Sequence, residues 1–161
     1  HLVCAELEKE YEVKIITQNV DKQHEKAGST NVLHLHGELM KVRSTGPGEE
    51  IFTLSDDNYE THPGDVCPEG FQLRPHIVWF GEAVPAMDQA IRTVEEADIM
   101  LIIGTSMQVY PAAGLIHYVR SGVPVYLIDP NEVGVYGRDI SVIKKGAGEG
   151  MKEFMNRLKN K

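Results

Sequence analysis

The sequence predicts an α/β fold built on a parallel sheet with helices on both faces. Three observations predict it. Short apolar runs alternate with stretches of helical spacing along the 161 residues. Two of those runs, Ile99–Ile103 and Val123–Ile128, are apolar throughout, as strands buried on both faces are. Between them, Gly104-Thr105-Ser106 and a helix opening at Pro111 complete a β-α-β unit, with Asp129 just past its second strand.

Each element has its own local cause. Leu2, Val3 and Leu7 fall on one helical face, so the chain opens on a helix already under way, and without an initiator methionine. A fragment or trimmed chain is expected. Val13–Thr17 is β-branched and predicts a buried strand. Asp21 caps a short helix that Gly28 stops after Lys26. Val32–His36 alternates and predicts a second strand, and Ile77–Phe80 a third. Ala86–Ala97 has helical spacing through Met87, Ile91 and Val94. Pro111 suits a first helical turn, with the helix reaching about Arg120. Ile140–Ile143 predicts a short edge strand, and Glu149–Leu158 a closing amphipathic helix. Residues 40–72 differ: they are rich in Gly, Pro, Ser, Thr and acidic residues and lack strong periodicity. They form either a long functional excursion or a reduced second module.

Composition narrows the function. Hydrophobic residues make up 42% and charged residues 25%, an ordinary globular balance. The formal charge of -8 disfavours a phosphate-tracking surface, so no nucleic-acid partner is expected, while a basic peptide would suit it. No apolar run is long enough to span a bilayer, and no signal peptide is evident, so no membrane partner and a cytoplasmic location are expected. The two cysteines, Cys4 and Cys67, belong to no C-x-x-C pair and offer no thiolate metal site.

Four segments carry candidate chemistry. Thr17-Gln18-Asn19-Val20-Asp21 ends a strand in polar side chains, either ligand-orienting groups or exposed amides before a helix cap. Leu33-His34-Leu35-His36-Gly37 places two histidines on one strand face. Imidazole takes a proton near neutral pH, yet a histidine is more often structural, and a metal pair would lack a third ligand nearby. Arg74-Pro75-His76-Ile77-Val78-Trp79-Phe80-Gly81-Glu82 is either a packed core strand or an exposed edge that pairs with a substrate backbone. Gly104-Thr105-Ser106 with Asp129 is either an ordinary tight turn or a nucleotide half-site, since it is not G-x-G-x-x-G.

Together and in this order, these segments resemble the sirtuin family. Thr17-Gln18-Asn19-Val20-Asp21 with His24 and Ala27-Gly28, Leu35-His36-Gly37, Leu73-Arg74-Pro75 through Val78-Trp79-Phe80-Gly81-Glu82, and Gly104-Thr105-Ser106 with Val109 and Pro111-Ala112-Ala113 look like four motifs of that family. The resemblance implies a Rossmann-like, sirtuin/DHS-like NAD-binding fold formed by residues 1–39 and 73–161, with a reduced, zinc-free insert at about 40–72. It implies an NAD-dependent protein-lysine deacylase that yields nicotinamide, O-acyl-ADP-ribose and free lysine. His36 would be the general base, deprotonating a ribose hydroxyl after the acyl oxygen has displaced nicotinamide. Gln18, Asn19 and Asp21 would contact the nicotinamide and its ribose. Val78, Phe80, Gly81 and Glu82 would hold an acyl-lysine peptide. Gly104, Thr105 and Ser106 would hold the adenosine ribose, with Asp129 and Ala147 at the adenine end.

Three departures qualify the resemblance. The family's zinc ribbon, with its two C-x-x-C pairs, is absent, and Cys67 with His62 is a poor replacement. No zinc is expected, as in a zinc-free bacterial subset of the family. A glycine-rich GAG-x-S segment would precede residue 1, so the chain is expected to lack its first β-α unit. Alone it would then bind NAD weakly, show little deacylase activity, and self-associate through the surface so exposed. Lys22-Gln23 stands where the family usually has Gly-Leu. Two other functions remain open: a non-catalytic NAD or ADP-ribose binding module, and a sirtuin-type mono-ADP-ribosyltransferase. The Trp79-Phe80-Gly81-Glu82 segment argues against a hypusine-pathway enzyme.

Overall fold

The apolar runs are realised in three hydrogen-bonded sheets among the described residues, two parallel and one antiparallel. The computed structural model describes residues 1–105, 107–131 and 139–159. They fall into two compact units, His1–Ala86 and Met87–Lys161.

In the first unit, helix α1 (Leu2–Leu7) buries only Leu7. Strand β1 (Ile15–Thr17) pairs in parallel with β2 (Val32–His34), from Ile15 opposite Val32 to Thr17 opposite His34. Between them lies α2 (Gln23–Lys26), a helix of four residues. Its N-cap is Lys22, one residue later than the cap expected at Asp21. Asp21 still contributes, because its Oδ1 accepts the Gln23 N–H at 3.0 Å. Gly28 ends the helix at φ +103°, a left-handed conformation that suits a residue without Cβ. β2 is shorter than expected, so His36 lies beyond it.

Strand β3 (Gly37–Ser44) is the centre of an antiparallel sheet, flanked by β4 (Ile51–Thr53) and β5 (Leu73–Ile77). This corrects two expectations. The strand expected at Ile77–Phe80 ends at Ile77, and it runs antiparallel to its neighbour. Pro75 has no N–H to donate and is tolerated because β5 is an edge strand in this ladder. Beyond it the chain turns, with the Glu82 N–H bonded to the Trp79 carbonyl at 3.0 Å and Gly81 at φ +89°. The segment without periodicity nevertheless holds most of β3 and all of β4. The pairing of β3 with β5 shifts register between Gly37 and Val42, which spoils the alternation that reveals a strand.

In the second unit, α3 (Met87–Glu96) leads into β6 (Met100–Ile103). Then follow a 3-10 helix (Ala112–Tyr118), β7 (Val125–Ile128), β8 (Ser141–Ile143) and α4 (Ala147–Lys159). The strands form a parallel sheet in the order β6-β7-β8. All four residues of the central strand are buried, Leu127 and Ile128 to 1% exposure. Burial of each such side chain stabilises by roughly 1.5–3 kcal/mol. α4 packs on this sheet: the Phe154 ring meets Tyr126 edge-on at 5.0 Å. The helix expected from Pro111 is of the tighter 3-10 type and is anchored by buried Ala113, Leu115 and Ile116.

Candidate functional site

The polar run after β1 is folded by its own side chains. Thr17 is buried, and its Oγ1 accepts the Asn19 N–H at 3.1 Å, turning the chain at the strand end. The parallel register sets Thr17 against His34, and the Leu35 N–H bonds the Thr17 carbonyl at 2.9 Å. Both histidines of the motif therefore reach this loop. His36 Nδ1 lies 3.2 Å from the Gln18 carbonyl, and His34 Nδ1 lies 2.9 Å from the Asn19 carbonyl.

A carbonyl oxygen can only accept, so a neutral His36 ring in this contact carries its proton on Nδ1. The ring then keeps a lone pair on Nε2, the form a general base needs. Gln18 contributes its backbone to this arrangement. Asn19 is exposed, and Asp21 is half-buried with Oδ1 bonded to the Gln23 N–H.

Gly37 explains how the histidine meets the next segment. It sits at φ +85°, and a Cβ there would fall 1.8 Å from the His76 carbonyl oxygen. The close approach at Gly37 is to the backbone of β5. It lets the Val78 N–H donate to the His36 carbonyl at 2.9 Å. Val78 is consequently fixed beside the histidine. The turn that follows presents Trp79 at 56% and Phe80 at 98% exposure, so this tryptophan is no core residue.

Glu82 holds that turn in place. Its Oε1 accepts from Arg74 Nη1 at 2.7 Å. Its Oε2 accepts from Arg43 Nη2 at 3.2 Å and from the Trp79 N–H at 3.0 Å. The Arg74 hydrogen bond, with that of the Trp79 N–H, keeps the Glu82 carboxyl below the usual carboxylate range. Arg43 and Arg74 carry no sign of this role in the sequence, because nothing local relates them to Glu82. Arg43 comes from β3, and 39 residues separate it from Glu82.

The remaining candidates belong to the second unit. Ile103 pairs with Ile128, so Gly104 and Asp129 leave the sheet side by side at the carboxyl ends of β6 and β7. Ligands collect at such strand ends in open α/β sheets. Gly104 adopts φ +60°, and a Cβ at this position would meet nothing within 4 Å, leaving room for a close approach. Thr105 Oγ1 accepts the Met107 N–H at 3.3 Å. Asp129 is buried, and its Oδ1 accepts the Asn131 N–H at 2.8 Å. Ala147 is exposed at the first turn of α4. Ser106 lies outside the described residues.

For a metal, the donor set fits poorly. Buried Cys67 shares a 3.4 Å hydrogen bond with Ser44 Oγ, and the other cysteine, Cys4, is in α1. Among the described residues, no group of three or more His, Cys, Asp or Glu is placed to hold an ion, and no helix is long and apolar enough to cross a membrane. Taken unit by unit, the Nε2 lone pair of a neutral His36 ring in the first and the open turn at Gly104 in the second are each compatible with a ligand.

Known proteins resemble this chain in sequence and in fold. The Sir2 family model matches residues 1–111. An NAD-dependent protein deacylase of Bacteroides thetaiotaomicron is 54% identical over 162 residues, covering 98% of this chain and 69% of that protein. The solved complex of a Sir2 homologue with NAD is 38% identical with a TM-score of 0.81, over 99% of this chain and 64% of that one. Sir2Tm bound to a propionylated peptide is 29% identical with a TM-score of 0.76, over 98% and 69%. The chain thus spans about two thirds of the proteins it matches. With the Rossmann-like β-α-β units and the ordered motifs around His36, these matches establish that the chain belongs to the Sir2 family.

Proposed function

We propose that the chain carries NAD-dependent removal of acyl groups from protein lysines, with nicotinamide, O-acyl-ADP-ribose and free lysine as products. The observation that carries this reading is the 3.2 Å contact between His36 Nδ1 and the Gln18 carbonyl, which leaves Nε2 as the basic nitrogen of the neutral ring. Bound NAD supplies an electrophilic ribose carbon and nicotinamide as its leaving group. His36 takes a ribose hydroxyl proton at Nε2, and the Gln18 carbonyl steadies the imidazolium so formed. Gln18, Asn19 and Asp21 orient the nicotinamide ribose. Gly104, Thr105 and Ser106 hold the adenosine ribose, with Asp129 and Ala147 at the adenine end. Val78, Phe80 and Gly81 seat the acyl-lysine, and Glu82 acts by bracing their turn. The relative solved with a propionylated peptide supports an acyl-lysine substrate, and the net charge of -8 suits a basic one.

The scaffold is read as zinc-free, because the Ser44–Cys67 hydrogen bond occupies one of only two cysteines. The test is turnover of an acetyl-lysine peptide with NAD by the full-length protein, with products identified by mass. His36→Ala should lower turnover by about 100-fold or more while NAD still binds. NAD binding without any turnover would instead mark a binding module. Transfer of labelled ADP-ribose to protein, without O-acyl-ADP-ribose, would mark a transferase.

A further inference from the structure

His34 takes no part in the proposed chemistry, yet its side chain is only 5% exposed and both ring nitrogens are engaged. Nδ1 lies 2.9 Å from the Asn19 carbonyl oxygen, and Nε2 lies 2.7 Å from Glu25 Oε1. Both partners are acceptors. A neutral imidazole has one N–H and can satisfy only one of them, setting a lone pair against the other. The imidazolium alone donates to both.

We propose that His34 is a positioning residue whose imidazolium ties the Gln18–Asp21 loop to α2, and whose deprotonation loosens the loop that orients His36. The proposal rests on the deacylase reading, from which the loop takes its role. Gln18 and Asn19 are consecutive, so their two carbonyls move together. One holds His36 Nδ1 and the other His34 Nδ1. Glu25 lies on α2, which has four residues and no side-chain bond at its N-cap. A helix so short has no stability of its own and depends on such ties.

The charged surroundings agree. Burial alone opposes charge on His34, but the Glu25 hydrogen bond, the Asn19 carbonyl and the attraction of Glu25 and Glu38 outweigh it, so its pKa is raised. Burial likewise opposes charge on Glu25, and the His34 hydrogen bond overcomes it, lowering that pKa. From α2, His24 is kept neutral by burial and brings no competing charge near neutral pH. Glu38 of β3 is paired with Lys41, and Asp21 of the loop with the Gln23 N–H. The tie is therefore complete below the ordinary imidazole range and is lost as pH rises through the elevated value.

Two measurements on the full-length protein test this. In a nitrogen-15 NMR titration, His34 should hold protons on both ring nitrogens at neutral pH and titrate above the ordinary imidazole range. Glu25→Gln should return it toward that range. A single neutral tautomer at neutral pH, or no response to Glu25→Gln, overturns the proposal. In pH profiles of kcat/KM, wild type should lose activity on an alkaline limb that Glu25→Gln moves to lower pH. His34→Asn should lose about tenfold at neutral pH, a scale set by slight misplacement of reacting groups, and should lack the limb. Equal loss at every pH with the limb unmoved would make His34 merely structural and sink the idea. Should His34→Asn fail to fold, the Glu25→Gln arm decides. Should wild type turn over no acyl-lysine at all, the deacylase reading fails while the NMR titration still decides the tie.

Discussion

Replacing Gly37 by alanine should break the join between His36 and Val78. The new Cβ would stand 1.8 Å from the His76 carbonyl oxygen, 2.8 Å from its carbon and 3.1 Å from Ile77 Cα. Both chains at this contact are backbone, so no side chain can swing aside. β3 and β5 must part locally by more than an ångström, and the 2.9 Å bond from the Val78 N–H to the His36 carbonyl goes with the contact. Holding φ at +85° costs an alanine about 1–2 kcal/mol, and the lost hydrogen bond about 1 kcal/mol more. Separation of the strands adds about 1–3 kcal/mol, by analogy with overpacking. Reduced freedom of the unfolded chain offsets about 0.4–1 kcal/mol. The net is a loss of about 4 kcal/mol, equivalent to a fall in Tm of roughly 8–16 °C for a chain of this size. Calorimetry reads the fall, and emission of the single tryptophan, Trp79, reports on the same unit. Gly48→Ala is the control, since nothing lies within 4 Å of its Cβ position, and it should be neutral within about 0.5 kcal/mol. A Gly37→Ala protein that melts with the Gly48→Ala control and keeps its turnover would refute the reasoning.

Three further outcomes follow from the same geometry. Glu82→Gln removes the charge shared by Arg43 and Arg74, so the exposed turn loosens and peptide KM should rise severalfold with a smaller effect on kcat. Because the folded Glu82 carboxyl is held low, its contribution is present above the ordinary carboxylate range and is lost as pH falls through the depressed value. The Tm difference between wild type and Glu82→Gln should accordingly shrink in acid, and a constant difference would contradict the pairing. Gly150→Ala would set a Cβ 2.2 Å from Ile128 Cγ2, an overpacking that costs about 1–3 kcal/mol against a helix-propensity gain of up to about 1 kcal/mol, so thermal melts should show net destabilisation. Exposure to a strong zinc chelator should leave turnover and Tm unchanged, and one tightly held zinc per chain by elemental analysis would overturn the zinc-free reading.

The sequence alone determined the α/β class, the β-α-β unit around Gly104 and the strand-end position of the Gln18–Asp21 loop. These depend on local signals: apolar runs, turn residues and the spacing between them. The buried run of β7 and the amphipathic α4 are legible for the same reason. The register of β3 was not, because a shift between Gly37 and Val42 erases the period of two. Nor was the purpose of Gly37, whose constraint is a carbonyl from β5. Only tertiary structure decided which nitrogen of His36 is basic, that Arg43 and Arg74 converge on Glu82, and that His34 faces two acceptors. Each of these depends on the direction of a hydrogen bond between groups distant in sequence, and residue spacing carries no record of that direction.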